Sequence, residues 1–163
     1  MATDSIHRID FSEEINAIRS KYSVNERRTT ECYTHLARLW GFEKFNQFGV
    51  IESQTESIPL REPLSASIYF ASSKTGYWLY GISAQTSISG ISYAPNLFNS
   101  IGFTSQNDAR EAAVPEITRF FTQESQSSSS TSLLLKEAVR ILEDFAHPTL
   151  DLFPSETGGS RGR

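Results

Sequence analysis

The feature that most constrains how this chain folds is a long stretch without charge. Residues 75–107 are 33 consecutive positions without Asp, Glu, Lys or Arg, and the 15 basic and 19 acidic residues all lie on either side of them. Charged side chains make up much of a solvated protein surface. The stretch must therefore be buried, paired as β-sheet, or exposed as an uncharged binding face.

The apolar pattern around this stretch predicts an antiparallel sheet of three or four strands. Apolar residues alternate over 64–71, which is typical of a strand with one buried face. Residues 77–84 and 88–93 are predicted as the second and third strands, with a bulge at Ser89-Gly90. Residues 101–103 are either a short fourth strand or a buried plug.

The residues before the sheet predict a helical hairpin. Asp10 opens a capping box with Glu13, and apolar residues follow at helical spacing. Asn25 is the predicted N-cap of a second helix, which ends at Gly41 in the left-handed C′ position. Residues 42–63 are aperiodic and then polar, and are interpreted as a connection.

Two further helices are predicted after the sheet. Thr104 or Ser105 caps the first of them, and Asp108 lies in its first turn, where the helix dipole favours a carboxylate. Pro115 lies inside its apolar pattern and is expected to kink or split it. The organisation is then a flexible arm at 1–10, a core domain at 11–122, a Ser-rich linker at 123–132, a C-terminal helix at 133–147, and a tail at 148–163 that is disordered at its end.

Together these patterns predict a single α+β domain: a helical hairpin, an antiparallel sheet, a covering helix and a C-terminal helix tethered by a linker. A chain of 163 residues is long enough to bury a core without metals or disulfides. The outer face of the sheet is expected to be covered by the C-terminal helix, a second copy or a partner.

The sequence offers no catalytic signature. Its three histidines are far apart, and Cys32 and His35, one turn apart on a helix, are interpreted as ordinary half-buried side chains rather than metal ligands or a nucleophile pair. No glycine-rich phosphate loop is present. We therefore expect no enzymatic activity, no catalytic or metal-binding residues and no cofactor.

The sequence also indicates where the protein works. The lone cysteine cannot form an internal disulfide, no apolar run reaches about 18 residues, and no secretory signal opens the chain. We expect a cytoplasmic protein without a membrane segment.

Three surfaces are candidates for binding. Aromatic rings and short hydroxyls, which interfaces favour, mark the predicted sheet; its face either has no function, binds a protein, or stacks bases or sugars. An apolar stripe on the C-terminal helix is a docking or homodimer surface, and a basic cluster between the first two helices contacts phosphates or is a solvated helix end. The sheet residues are Tyr77, Trp78, Tyr80 and Tyr93; the stripe is Leu135, Val139 and Leu142; the basic cluster is Arg19, Lys21, Arg27 and Arg28.

One family resemblance rests on the segment Gly76-Tyr77-Trp78-Leu79-Tyr80-Gly81, a further strand, and then Phe103, Ala109, Arg110 and Ala113. With helices on either side, residues 28–122 resemble the α-β-β-β-α domains of double-stranded-RNA-binding type, and small accessory domains of that layout in plasmid and phage proteins. RNA-binding members open the second helix with a lysine cluster, whereas residues 105–110 here carry one Arg and one Asp. The resemblance thus implies the fold and protein contacts.

The sequence favours a non-enzymatic interaction protein that binds an unidentified protein or protein complex. A small chain of net charge −4 would suit a regulator or inhibitor of a nucleic-acid-processing machine, because carboxylates can block a basic groove. The alternative is direct nucleic-acid binding through the basic cluster, with Arg161 and Arg163 in the tail.

Overall fold

The computed structural model describes residues 6–127 and 132–147. This part of the chain has four helices and an open, six-stranded antiparallel sheet, so the predicted α+β class is confirmed. None of the described helices combines the length and apolarity that a membrane crossing requires. The strands are β1 (Arg8–Asp10), β2 (Gln54–Ile58), β3 (Ser65–Ser72), β4 (Trp78–Gln85), β5 (Gly90–Tyr93) and β6 (Ile101–Phe103), and the helices are α1 (Ser12–Ser20), α2 (Thr30–Trp40), α3 (Gln106–Ser127) and α4 (Ser132–Ala146).

Strand β4 is the centre of the sheet. One of its edges pairs along its whole length with β3, which in turn pairs with β2. Its other edge is shared by two strands: β5 pairs with the end where Ile82 is opposite Tyr93, and β6 meets the end where Trp78 is opposite Phe103. Strand β1 lies beyond β6. The sheet is therefore bounded by three outer strands, β1, β2 and β5.

One face of the sheet lies under α3 and α4. The paired residues Ile68 and Ile82 point to this face and are fully buried, as is Leu142 of α4. These residues share one apolar cluster with the inner side of α3, so α4 docks on the same core. A core shared by two helices and a sheet is the main source of stability for a domain of this size.

The opposite face is covered at one end by α1 and α2. Ala71 and Leu79 are opposite one another in the register and pack in a second cluster with Leu36 and Trp40 of α2. The Trp40 ring lies against Gly102 of β6, where a Cβ would be 2.6 Å from ring atom Cζ3. Beyond this end, the residues of β3 and β4 that point to the same face belong to neither apolar cluster.

Two predicted helix starts are wrong. Helix α1 begins after Phe11, and Asp10 belongs to β1, where its carboxylate accepts the Ser12 backbone N–H at 2.8 Å instead of forming a box with Glu13. Helix α2 begins after Thr29 rather than Asn25. The preceding residues form a separate turn, in which the Glu26 carboxylate accepts the backbone N–H and hydroxyl of Ser23.

The other helix ends follow the predictions. Gly41 terminates α2 with a φ of 83°, in the left-handed region. Ser105 caps α3: its hydroxyl accepts the Asp108 backbone N–H at 3.0 Å and donates to the Asp108 carboxylate at 2.7 Å. Helix α3 continues through Pro115, so the proline does not split it. Pro115 is exposed.

The sheet is larger than the three or four strands predicted. Residues 8–10, in the expected arm, form β1, and residues 54–58, in the expected connection, form β2. Both strands are polar and lack the alternation that marks a buried face, so their pairing depends on neighbouring strands. The predicted bulge is wrong, because Ser89 lies in the hairpin turn and donates its N–H to the Thr86 hydroxyl at 3.1 Å.

Helix α3 also continues into the expected linker as far as residue 127. The remaining linker residues 128–131, the first five residues of the arm and the expected tail 148–163 lie outside the described residues.

Candidate interaction surface

The half of the sheet that α1 and α2 leave uncovered presents a row of serines. Ser57, Ser67, Ser83 and Ser92 lie on adjacent strands and are directly opposite one another, β2 to β3 to β4 to β5. Neighbouring strands are about 4.8 Å apart, so the four hydroxyls are evenly spaced across the sheet. We call this set the serine row.

The residues on either side of the serine row are also uncharged. With it they form what we call the hydroxyl face, in which no side chain makes a hydrogen bond to the described part of the chain. Each of these side chains is exposed or half-buried. Besides the serine row, the hydroxyl face contains Thr55, Ser65, Tyr69 and Gln85.

Strand β5 forms the edge of this face. All four of its residues, Gly90–Tyr93, are exposed. Alternate residues of an edge strand point their N–H and C=O groups away from the sheet, and among the described residues none pairs with this side of β5. The other outer strands carry charges, Arg8 and Asp10 in β1 and Glu56 in β2, whereas β5 carries none.

The four aromatic residues predicted to bind a partner are divided between two places. Tyr77 packs edge-on against Phe11 and Trp40 in the cluster under α1 and α2. Trp78 and Tyr80 face α3 on the other side of the sheet and are half-buried. Tyr93 is 41% exposed. The structure thus brings Tyr80 and Tyr93 together but not Tyr77.

Tyr80 and Tyr93 share one carboxylate on α3. Their hydroxyls donate to the two oxygens of Glu116, Oε1 and Oε2, each at 2.5 Å. Burial, followed by the hydrogen bonds to Glu116, raises the pKa of both phenols well above the usual value. As donors to Glu116, both tyrosines connect β4 and β5 to the helix layer.

This cluster forms one wall of an open cavity of about 500 Å³, which we call the Tyr93 cleft. It lies between α3 and the strands β5, β6 and β1. Its volume is in the range of small-molecule sites, about 300–1,000 Å³. Besides the three clustered residues, its lining includes Ile6, Arg8, Ile101, Phe103, Glu111 and Arg119.

The stripe predicted on the C-terminal helix is largely occupied. Leu135 and Leu142 are 2% and 0% exposed, in the core shared with α3, and Val139 is half-buried. Docking within the same chain therefore uses this stripe. A dimer formed through it would have to displace α4.

The predicted basic cluster is divided in the same way. The Arg19 guanidinium lies over the Phe98 ring, 5.4 Å from its centre, and the Nε of Arg27 donates to the Arg19 carbonyl at 3.2 Å. Both side chains are half-buried. Lys21 and Arg28 are exposed, so two of the four cations project freely into solvent.

Cys32 and His35 occupy structural positions. Cys32 is fully buried, and burial raises the pKa of its thiol. The Nδ1 of His35 is 2.7 Å from the Tyr22 hydroxyl. Among the described residues no three His, Cys, Asp or Glu side chains converge as metal ligands.

Comparisons with protein families, with curated proteins and with solved structures found no match. The resemblance to double-stranded-RNA-binding-type domains therefore stays a prediction from the sequence.

Glu116 and the serine row are not among the residues that the sequence predicts. Glu116 follows Pro115 on α3 and accepts hydrogen bonds from residues of two strands. Nothing in the sequence around it distinguishes it from a solvent-exposed helix carboxylate. The serine row has a partial signal in the sequence, because each of its four residues lies at a polar position of a strand. Their alignment follows from the pairing register of the structure.

Proposed function

We propose that this chain is a protein-interaction module that binds an extended segment of a partner protein by pairing it with strand β5. The observation that carries the proposal is the uncharged, unpaired edge of β5 beside the hydroxyl face. Proteins protect outer strands with charged residues or with a covering element. Strand β5 has neither among the described residues, although β1 and β2 both carry charges.

The edge itself selects an extended backbone. Unpaired N–H and C=O groups at strand spacing are matched by another β-strand, which is how many sheet edges recognise peptides. Each backbone hydrogen bond contributes only about 0.5–1.5 kcal/mol net, and β5 has four residues. Side-chain contacts must therefore supply much of the affinity.

The two sides of β5 indicate the partner's chemistry. Ile91 and Tyr93 point to the α3 side, and Gly90 and Ser92 point to the side of the serine row. A segment paired with β5 would place alternate side chains beside these two sets. We therefore expect an uncharged partner segment in which apolar residues alternate with small polar ones.

Direct nucleic-acid binding has less support. Two of the four basic residues of the predicted cluster are engaged within the chain. Tyr80 and Tyr93 both donate their hydroxyls to Glu116, so neither hydroxyl is free to donate to a phosphate. Regulation of a nucleic-acid-processing machine stays a prediction from the acidic composition.

The test is selection of peptides from a random library, followed by amide hydrogen exchange and affinity measurement. We expect enriched peptides with the alternating pattern, which protect the amides of residues 90–93. Ile91→Lys, which places a charge on the edge, should weaken binding about tenfold or more. Gln54→Lys is the matched control, because Gln54 is an exposed residue of the β2 edge, and it should leave binding unchanged.

Several results would overturn the proposal. Enriched peptides that protect residues far from β5, or that bind Ile91→Lys as well as the wild type, would place the site elsewhere. Self-association that Ile91→Lys abolishes would identify the occupant of β5 as a second copy rather than a partner protein.

A further inference from the structure

The Tyr93 cleft carries an inference that does not depend on the proposed function. We infer that this cleft binds a small ligand that combines a flat apolar body with one anionic group, such as an aromatic carboxylate. The size of the cleft, its charged side chains and its exposed apolar wall support this assignment.

The apolar wall of the cleft is open to solvent. Tyr93 and Ile101 are 41% and 36% exposed, although both are large hydrophobic residues. Phe103 lies in the same lining and is buried, and it stacks at a tilt on Tyr80 with ring centres 5.7 Å apart. A flat apolar ligand of a few atoms would cover Tyr93 and Ile101 without moving the buried Phe103 ring.

Of the two carboxylates that line the cleft, Glu116 is engaged by hydrogen bonds. Both oxygens of Glu116 accept short hydrogen bonds from Tyr80 and Tyr93. Glu111 lies toward α4, with its Oε1 3.9 Å from the Nδ1 of His147. A cationic ligand would have to compete with the two phenols for Glu116.

The cations of the cleft are not engaged. Arg8 and Arg119 line the cleft, and neither forms an ion pair or side-chain hydrogen bond with a described residue. The charge of Arg8 also reaches the Tyr80 hydroxyl, where it opposes the rise in the pKa of that phenol. A guanidinium binds a carboxylate through two parallel hydrogen bonds. The free charges at this cavity therefore favour an anion.

The experiment compares three probes of one shape by NMR titration of the full chain: benzoate, benzyl alcohol and benzylamine. We expect saturable shifts of Tyr93 and Ile101 with benzoate at about millimolar concentrations, and weaker shifts with benzyl alcohol. Arg8→Gln and Arg119→Gln should each weaken benzoate binding about tenfold. Arg28→Gln is the control, because Arg28 is an exposed arginine outside the cleft.

Further variants separate this site from β5. Glu116→Gln removes a negative charge from the cleft wall and should strengthen benzoate binding. Ile91→Lys should leave it unchanged, even where it abolishes peptide binding at β5. Tighter binding of benzylamine than of benzoate, shifts that do not saturate, or equal benzoate affinity in Arg119→Gln and the wild type would each overturn the inference.

Discussion

Replacing Gly81 with Ala tests how strand β5 is held against β4. Gly81 lies in β4 beside the end of β5, and a Cβ built on it would overlap the backbone oxygen of Tyr93. It would also lie 2.8 Å from the carbonyl carbon and the Cα of Ala94. These are backbone atoms, so no side-chain rotation relieves the overlap. The end of β5 must move away from β4.

The size of this movement sets the energetic cost. From 2.8 Å to an ordinary contact distance of 3.4 Å, the backbone at Ala94 must shift by at least about 0.6 Å, and the closer Tyr93 oxygen requires a larger shift. Only four residue pairs hold β5 to β4. Overpacking of a buried position costs about 1–3 kcal/mol. Because the clash is with backbone, we expect about 2–3 kcal/mol, which lowers Tm by about 4–12 °C for a chain of this length.

The assay is thermal unfolding combined with amide hydrogen exchange of residues 90–93. Gly90→Ala is the matched control, since its Cβ would lie 3.3 Å from the Ala84 carbonyl oxygen and requires a shift of only a few tenths of an ångström. Both substitutions restrict the unfolded chain equally. If Gly81→Ala unfolds at the same temperature as Gly90→Ala and exchanges no faster at β5, the close packing of β5 on β4 is refuted.

Three further predictions concern the packing around the candidate surface. Replacing Tyr80 and Tyr93 together with Phe should flatten the loss of stability at alkaline pH: burial raises both pKa values above the ordinary 10.0, so the stability they contribute is present below pH 10 and lost above it. Denaturant unfolding across this range measures it, and an unchanged slope would count against the argument. Leu142→Ala should lower the free energy of unfolding by about 2–5 kcal/mol, because Leu142 is fully buried; a loss below about 1 kcal/mol would place α4 off the core. Arg110→Met should lower the free energy of unfolding by less than Glu56→Ala does. The Arg110 side chain is 14% exposed and that of Glu56 is 32% exposed, so removal of Glu56 leaves the more buried charge unpaired. A larger loss of stability in Arg110→Met would contradict this.

The fold elements that sequence predicted well are those whose local pattern and tertiary burial agree. Alternation over residues 64–71 matches β3, because one face of that strand is buried under α3. Gly41 and Ser105 end and begin helices where local backbone chemistry decides the boundary. In each case the residues that define the pattern also make the stabilising contacts.

The elements that sequence did not predict are held by distant residues. Strand β2 is polar, and its Glu56 forms a two-oxygen ion pair with Arg110 of α3 at 2.8 and 3.0 Å. Arg110 also lies 5.7 Å from the ring centres of Phe70 and Phe145. No local window contains this arrangement, because it joins residues more than 50 positions apart.

The candidate site was predicted only in part for the same reason. The aromatic residues of β4 and β5 are visible in the sequence, which predicts them as a binding surface. Their meeting at Glu116 depends on how α3 crosses the sheet, 36 positions after Tyr80. Sequence spacing gives no information about that crossing.

The uncharged stretch 75–107 now divides into three parts with different physical causes. Leu79 and Ile82 lie on opposite faces of the sheet, and each is buried under helices, which excludes a charge there. In the turn at 86–89, the buried Thr86 bonds its own loop, which disfavours a charge at that position. Neither cause applies to residues 90–92 or to the serine row, which are exposed or half-buried and belong to neither apolar cluster. Burial therefore explains the absence of charge in only part of the stretch. At β5 and the hydroxyl face the absence is better explained by a contact that a charge would oppose.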